Sequence, residues 1–139
     1  MENKSNDTVE FVGACSQLYW KFRNYVNDLK RHKKVKHADF SQSVFGPDPE
    51  QWPGSPVGFG WDIEVIYISN PNEETYTFDV TFESGWSISA VQSRMDDHGL
   101  DTVEEIIEHN NLDTPKCINL LYKCSDEFLE YCKKRLKNV

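Results

Sequence analysis

Four carboxylates, Asp62, Glu64, Asp79 and Glu83, fall at every second position of two segments whose intervening residues are apolar: Trp61, Ile63 and Val65 in one, Tyr76, Phe78, Val80 and Phe82 in the other. A period of two puts such residues on one face of a sheet. Thr77, Thr81, Ser87 and Ser89 share that expected face, with no Lys or Arg among them. Acids gathered this way can be solvated or paired with the basic ends of neighbouring helices. They can hold a hard cation through Asp62, Glu64 and Asp79, or they can meet a basic protein. No calcium-loop spacing surrounds them, so the expectation is no metal and no cofactor. Like charges opposite one another weaken a sheet. Attraction of a basic partner, with rejection of wrong ones, gives the cluster a use that folding alone does not.

Nucleophilic chemistry has less to stand on. Cys15 with His98 or His109 is the available Cys–His combination, but Cys15 lies on an apolar helical stripe. There is no GxSxG elbow, no phosphate-binding P-loop and no GxGxxG after a strand. Cys117, Cys124 and Cys132 recur at near-helical spacing and no CxxC pair occurs, which reads as small reduced hydrophobes rather than zinc ligands. Glu104, Glu105, Glu108 and His109 read as a solvated helix surface. No catalytic residue is assigned, and the chain is expected not to be an enzyme.

The charge is segregated along the chain. The sum is −8 over 139 residues, but residues 1–37 carry +4, residues 38–113 carry −15 with Arg94 as their one basic side chain, and residues 114–139 carry +3. An acidic middle disfavours nucleic-acid binding, which needs a continuous basic surface. The run Lys30–Lys36 reads as a helix C-terminus answering the helix dipole. Eighteen aromatic residues supply core material for one domain spanning 1–139 despite a mean hydropathy of −0.65. No apolar span or signal-peptide segment is present, so a soluble, cytoplasmic protein is expected.

These residues need elements to position them. Val12, Cys15, Tyr19, Phe22, Val26 and Leu29, flanked by Phe11, Leu18 and Tyr25, predict a helix over 8–34. Residues 38–58 hold four of the six prolines and read as a Pro/Gly-rich aromatic loop carrying Phe40, Phe45 and Trp52. That loop either lids the core or presents Trp52 to a partner. Three alternating segments follow, over 61–68, 76–83 and 86–90. Turns at Asn70–Glu73 and Glu83–Gly85 pair Glu64 with Asp79, Ile66 with Thr77, Val80 with Ile88 and Phe82 with Trp86. Thr102 and Glu105 suggest a capping box for a short helix over 102–110. Thr114-Pro115 opens a last helical segment, with Ser125-Asp126 as a candidate break into two helices. The expected fold is α+β: a long N-terminal helix on a three-stranded antiparallel β-meander, followed by two or three C-terminal helices.

With Gly60-Trp61-Asp62-Ile63-Glu64 and Phe82-Glu83-Ser84-Gly85-Trp86 in an acidic middle, the chain resembles the small acidic immunity proteins that bacteria pair with secreted toxins. The resemblance implies a non-catalytic inhibitor that occludes a cognate toxin, with Trp52, Asp62, Glu64, Asp79 and Glu83 as contact residues. Two other readings stay open. One is a small enzyme or ligand binder with a pocket between the first helix and the sheet, lined by Trp61, Tyr67, Tyr76 and Trp86. The other is a homo-oligomer pairing through the sheet edges formed by the first and third strands.

Overall fold

Alternating and helical apolar patterns divide the chain into one sheet and two long helices, with more strand than the sequence announces. The computed structural model describes residues 4–46, 57–95, 98 and 101–139. Helix α1 (Lys4–Lys30) precedes five strands, β1 (Val35–Phe45), β2 (Val57–Tyr67), β3 (Asn70–Phe82), β4 (Trp86–Met95) and β5 (Asp101–Leu112), and helix α2 (Thr114–Asn138) closes the order. The strands form one antiparallel sheet in sequence order, β1-β2-β3-β4-β5. Both helices pack on the same face of it, α1 over β1 and β2 and α2 over β3, β4 and β5. Cys15 neighbours Cys117, Phe22 meets Phe128 and Tyr25 neighbours Cys132, so the helices run parallel. The α+β class stands, whereas three strands and several C-terminal helices do not.

Residues 35–45 form a strand where a loop is expected from residue 38. Their alternation is obscured because Gln42 occupies a core-facing position. Its Oε1 accepts the indole N–H of buried Trp61 at 2.8 Å, so a polar residue serves there as the acceptor a buried tryptophan needs. Phe40 packs its ring 5.4 Å from Tyr19 on the helix side, while Phe45 pairs with Gly58 and falls on the other face. Trp52 and its prolines lie outside the described residues.

Residues 101–112 are a strand and not the expected helix. Val103, Ile106 and Ile107 imitate helical spacing, but a register shift opposite Ala90 and Val91 places the extra residue Ile106 in β5 and restores Ile107 to the core side. The β-branched content suits a strand, and pairing with β5 satisfies the ladder groups along β4. The sheet edges are therefore β1 and β5, not the strands over 61–68 and 86–90.

The first hairpin turns at Ile68–Ser69, with Tyr67 opposite Asn70, and Pro71 lies near the start of β3 rather than in the turn. Asp62 then faces Thr77, Glu64 faces Thr75 and Asp79 faces Gly60, in place of Glu64 against Asp79. The displacement is an even number of residues, so every side chain keeps its predicted face. Val80 against Ile88 and Phe82 against Trp86 are as expected.

Helix α1 ends at Lys30, four residues before its expected end, where Arg31 N–H to Asp28 O (3.1 Å) and His32 N–H to Leu29 O (3.0 Å) tighten the last turn. Its buried line runs through Phe11, Ala14, Leu18, Phe22, Val26 and Leu29, while Val12 is 52% exposed. The stripe is turned toward α2, which the helix must cover as well as the sheet. Helix α2 is continuous. Asp113 caps it by accepting the Lys116 N–H (2.9 Å), and Pro115 fits its first turn. At the expected break, the Ser125 hydroxyl donates to Tyr122 O (2.8 Å) and accepts the Lys21 ammonium (3.0 Å), which keeps a poor helix former inside the helix.

Phe22 is the centre of the core, with ring centroids 5.7 Å from Trp61, 5.5 Å from Phe78 and 5.3 Å from Phe128. Beside this apolar core lies a closed polar network. Glu74 is 0% exposed and accepts from Arg135 through both oxygens, Nε–H at 2.9 Å and Nη2–H at 3.0 Å. Gln92 Nε2–H also donates to Glu74 (2.6 Å), and the guanidinium lies 5.7 Å from the Tyr67 ring centroid.

Removing one member of such a pair leaves the other charge buried and uncompensated. Arg135→Ala should therefore lower the unfolding free energy by about 3–5 kcal/mol, read from the urea midpoint at unchanged slope. A loss below about 1 kcal/mol would show that water replaces the guanidinium at no cost.

Candidate functional site: the acidic outer face of the sheet

Because both helices cover one face, the opposite face is built from the alternate residues of all five strands. β2 contributes Gly58, Gly60, Asp62 and Glu64, and β3 contributes Thr75, Thr77, Asp79 and Thr81. β1 brings Asp39 directly opposite Glu64, and β5 brings Glu105 and Glu108 opposite Val91 and Ser89. The alternating positions on this side hold acids, hydroxyls, small residues and a few apolar side chains but no Lys or Arg; His37 is the nearest base.

Three of the five residues singled out in the sequence are brought together: Asp62, Glu64 and Asp79. Glu83 lies in the exposed connection after β3 and is not part of the face, and Trp52 lies outside the described residues. Asp39, Glu105 and Glu108 are further members that do not emerge from the sequence, where their segments resemble a loop and a helix. The period-two positions of 39, 41 and 43 were the signal for the first.

At the centre sits Asp79. A Cβ on Gly60 would come within 2.5 Å of Asp79 Oδ1 and 3.1 Å of the Phe45 ring, so glycine lets both side chains lie over β2 where a larger residue would push them aside. Gly58, at φ +157°, likewise leaves no room for a side chain against the Val80 backbone. The Asp62 carboxylate accepts the Thr77 hydroxyl at 2.6 Å. Among the described residues Asp79 makes no such side-chain bond. Desolvation first, and the neighbouring Asp62 second, raise its carboxyl from the ordinary 3.8 to about 6. Glu64 is also raised, by desolvation and by Glu73, Asp39 and Asp62. The Glu105 and Glu108 carboxyls share a hydrogen bond that raises Glu105 and lowers Glu108. Burial and neighbouring carboxylates thus hold Asp79 and Glu64 above their ordinary range, and acids clustered in this way attract positive charge.

The remaining candidates are not gathered into chemistry. Cys15 is buried beside Cys117 and burial pushes its thiol up to about 12, as it does for Cys117, so neither is an activated nucleophile. His109 is exposed on β5, and Glu104, on the helix side, bonds the Tyr131 hydroxyl at 2.7 Å. Among the described residues, no three His, Cys, Asp or Glu side chains converge as a metal set, and no helix is long and apolar enough to cross a membrane. Trp61, Tyr67 and Tyr76 are fully packed in the core, and the Trp86 ring lies tilted against Phe11 with centroids 4.4 Å apart, so these aromatics do not line a pocket. A shallow groove of about 270 Å³ between α1 and the sheet is lined instead by Val12, Cys15, Ser16, Tyr19, Gln42 and Phe59.

Two outcomes test this site. Asp79 has a folded-state pKa above its unfolded value, so the folded chain is favoured when Asp79 is protonated, below about pH 4, and that advantage is lost as pH rises through about 6. Asp79→Asn should therefore stabilise the protein above pH 6 by on the order of 1 kcal/mol after solvent screening, and leave it unchanged near pH 4. Parallel urea titrations of both proteins check it, and an effect of equal size at both pH values would refute the assignment. All four cysteines are free and buried, so intact-mass analysis after alkylation should show no modification in buffer and four additions in urea. Rapid native labelling would contradict the packing. No protein-family model, no curated protein and no solved structure matches this chain.

Proposed function

We propose that this chain is a non-catalytic protein-binding domain that docks a basic partner on the outer face of its sheet. The observation that carries the reading is Asp79, held half-buried beside Asp62 with its carboxyl raised to about 6 and, among the described residues, no ion pair to a cation of the chain's own. Carboxylates that cost stability in the lone chain fit a surface completed by a partner's Lys or Arg. The immunity-type resemblance supplies the partner class: a cognate toxin with a basic surface, occluded rather than modified. A cytoplasmic setting, which keeps thiols reduced, fits four buried free cysteines. Trp52 is our proposed aromatic anchor. The segment carrying it leaves β1 after Phe45 and re-enters at Val57, at the end of the sheet where Phe45, Gly58 and Gly60 lie.

A second reading, a small-ligand pocket, has the 270 Å³ groove beside α1 in its favour, but its cysteine is an inert thiol.

The test uses the product of the adjacent gene as partner and measures association rates at two salt concentrations. Neutralising Asp62→Asn together with Glu64→Gln should slow association about tenfold at low salt and flatten its salt dependence, with less effect on dissociation. Glu64→Thr alone should leave the free chain unchanged or more stable by about 0.5–1 kcal/mol, because it relieves the opposition to Asp39 across β1 and β2. Unchanged association by the double variant would remove this face from the interface.

A further inference from the structure

On the helix layer, away from the acidic face, the parallel helices end side by side. The turn after α1 and the last turns of α2 enclose a groove of about 820 Å³ lined by Lys33, Lys34, Lys133, Lys134 and Lys137 with His32 at its rim. Two glutamates, Glu127 and Glu130, also line it, and Glu130 lies 3.9 Å from Lys133. Adjacent helix C-termini call for some positive charge. That call is already answered: the Lys34 ammonium donates to both the Leu136 and Lys137 carbonyls at 3.3 Å. Lys33, Lys134 and Lys137 are surplus to it, and their ammonium groups make no ion pair or hydrogen bond among the described residues.

We propose that this groove binds a compact oligophosphate group. Unpaired like charges in a concave site focus positive potential, which favours an anion of several charges over a single one. The volume falls in the range of small-molecule sites and exceeds what one phosphate fills. The choice of phosphate over carboxylate follows from the donors. Arginine forks match planar carboxylates, but the nearby arginines are committed elsewhere, Arg31 to Asp28 at 2.9 Å and Arg135 to Glu74. Only lysines, point charges on flexible stems, remain to follow a chain of tetrahedral groups. Tyr131 lines the same groove with its hydroxyl bonded inward to Gln92 (2.7 Å), which leaves its ring beside the site. The site shares no residue with the acidic face, so it stands or falls independently of the proposed function.

The experiment titrates the whole chain with tripolyphosphate, ATP and orthophosphate, followed by amide NMR and calorimetry at low and at physiological ionic strength. Saturable one-to-one binding of tripolyphosphate is expected, with shifts concentrated at residues 32–34 and 133–137, and with orthophosphate at least about tenfold weaker. The double variant Lys33→Gln with Lys134→Gln should weaken tripolyphosphate about tenfold or more, while Lys36→Gln, outside the groove, should not. ATP binding tighter than tripolyphosphate, with shifts at Tyr131, would make a nucleotide the source; equal binding would make it free oligophosphate, and either supports the site. Shifts scattered over all lysines, or affinity unaffected by the double variant, would overturn it.

Discussion

Glu74 has no access to water, and the polar side chains of the helix layer are arranged around its carboxyl group. Its two oxygens take the Arg135 fork, Gln92 donates a further bond at 2.6 Å, and the Tyr76 hydroxyl lies 3.4 Å away. Tyr131 extends the network from Gln92 to Glu104. The network joins β3, β4, β5 and α2, the elements most distant in sequence from α1. A buried ion pair is a weak source of net stability, because desolvation offsets most of the attraction. What this one supplies is a single acceptable position for the end of α2. A slide of α2 by one turn would leave Glu74 alone in the core, which costs several kcal/mol, about as much as a small domain can lose.

That fixed position has consequences for both surfaces. With Arg135 facing inward, Lys133, Lys134 and Lys137 are left on the outward side of the last turns, beside the turn that follows α1. The linear segregation of charge, −15 in residues 38–113 between basic ends, becomes a spatial one: acids on the open sheet face and lysines at the paired helix ends. A chain folded this way is electrically two-sided, and each side suits a ligand that the other repels.

How much of this is legible in the sequence depends on where polar residues intrude on the apolar period. β2, β3 and β4 alternate cleanly, and both the sheet and its acidic face follow from them. β1 hides because Gln42 faces the core to serve the Trp61 indole, and β5 hides because Ile106 is extra in the ladder. Both exceptions are tertiary in origin: Asp39, Ser41 and Ser43 keep a period of two, but the indole that explains Gln42 and the register shift that accommodates Ile106 involve neighbouring strands. The first hairpin shows the complementary case. Its turn lies earlier than Pro71 suggests, yet the even displacement left Asp62, Glu64 and Asp79 on their expected face. The set of residues on the site survived an error in register, whereas their pairings did not. The role of Gly60 does not show in the sequence, because the Asp79 carboxylate and the Phe45 ring that fill the space over it come from neighbouring strands.

Those glycines bear on what the face costs the fold. Glycine within a strand forgoes side-chain packing and weakens pairing, on the order of 0.5–1 kcal/mol at each position. The room it gives admits a carboxylate that is then disfavoured by burial and by Asp62. Two costs therefore meet at one point of the molecule, on the side that neither helix covers, and among the described residues no cation offsets them. Inside the helix layer the opposite policy holds: the buried carboxylate of Glu74 has its guanidinium at 2.9 Å. The same chain that pairs one acid so fully leaves another unpaired a few residues along β3, and the difference lies in which face of the strand each occupies. A cation brought against Asp79 from outside would return its carboxyl toward the ordinary aspartate range, and the destabilisation borne by the lone chain would reappear as affinity for the partner.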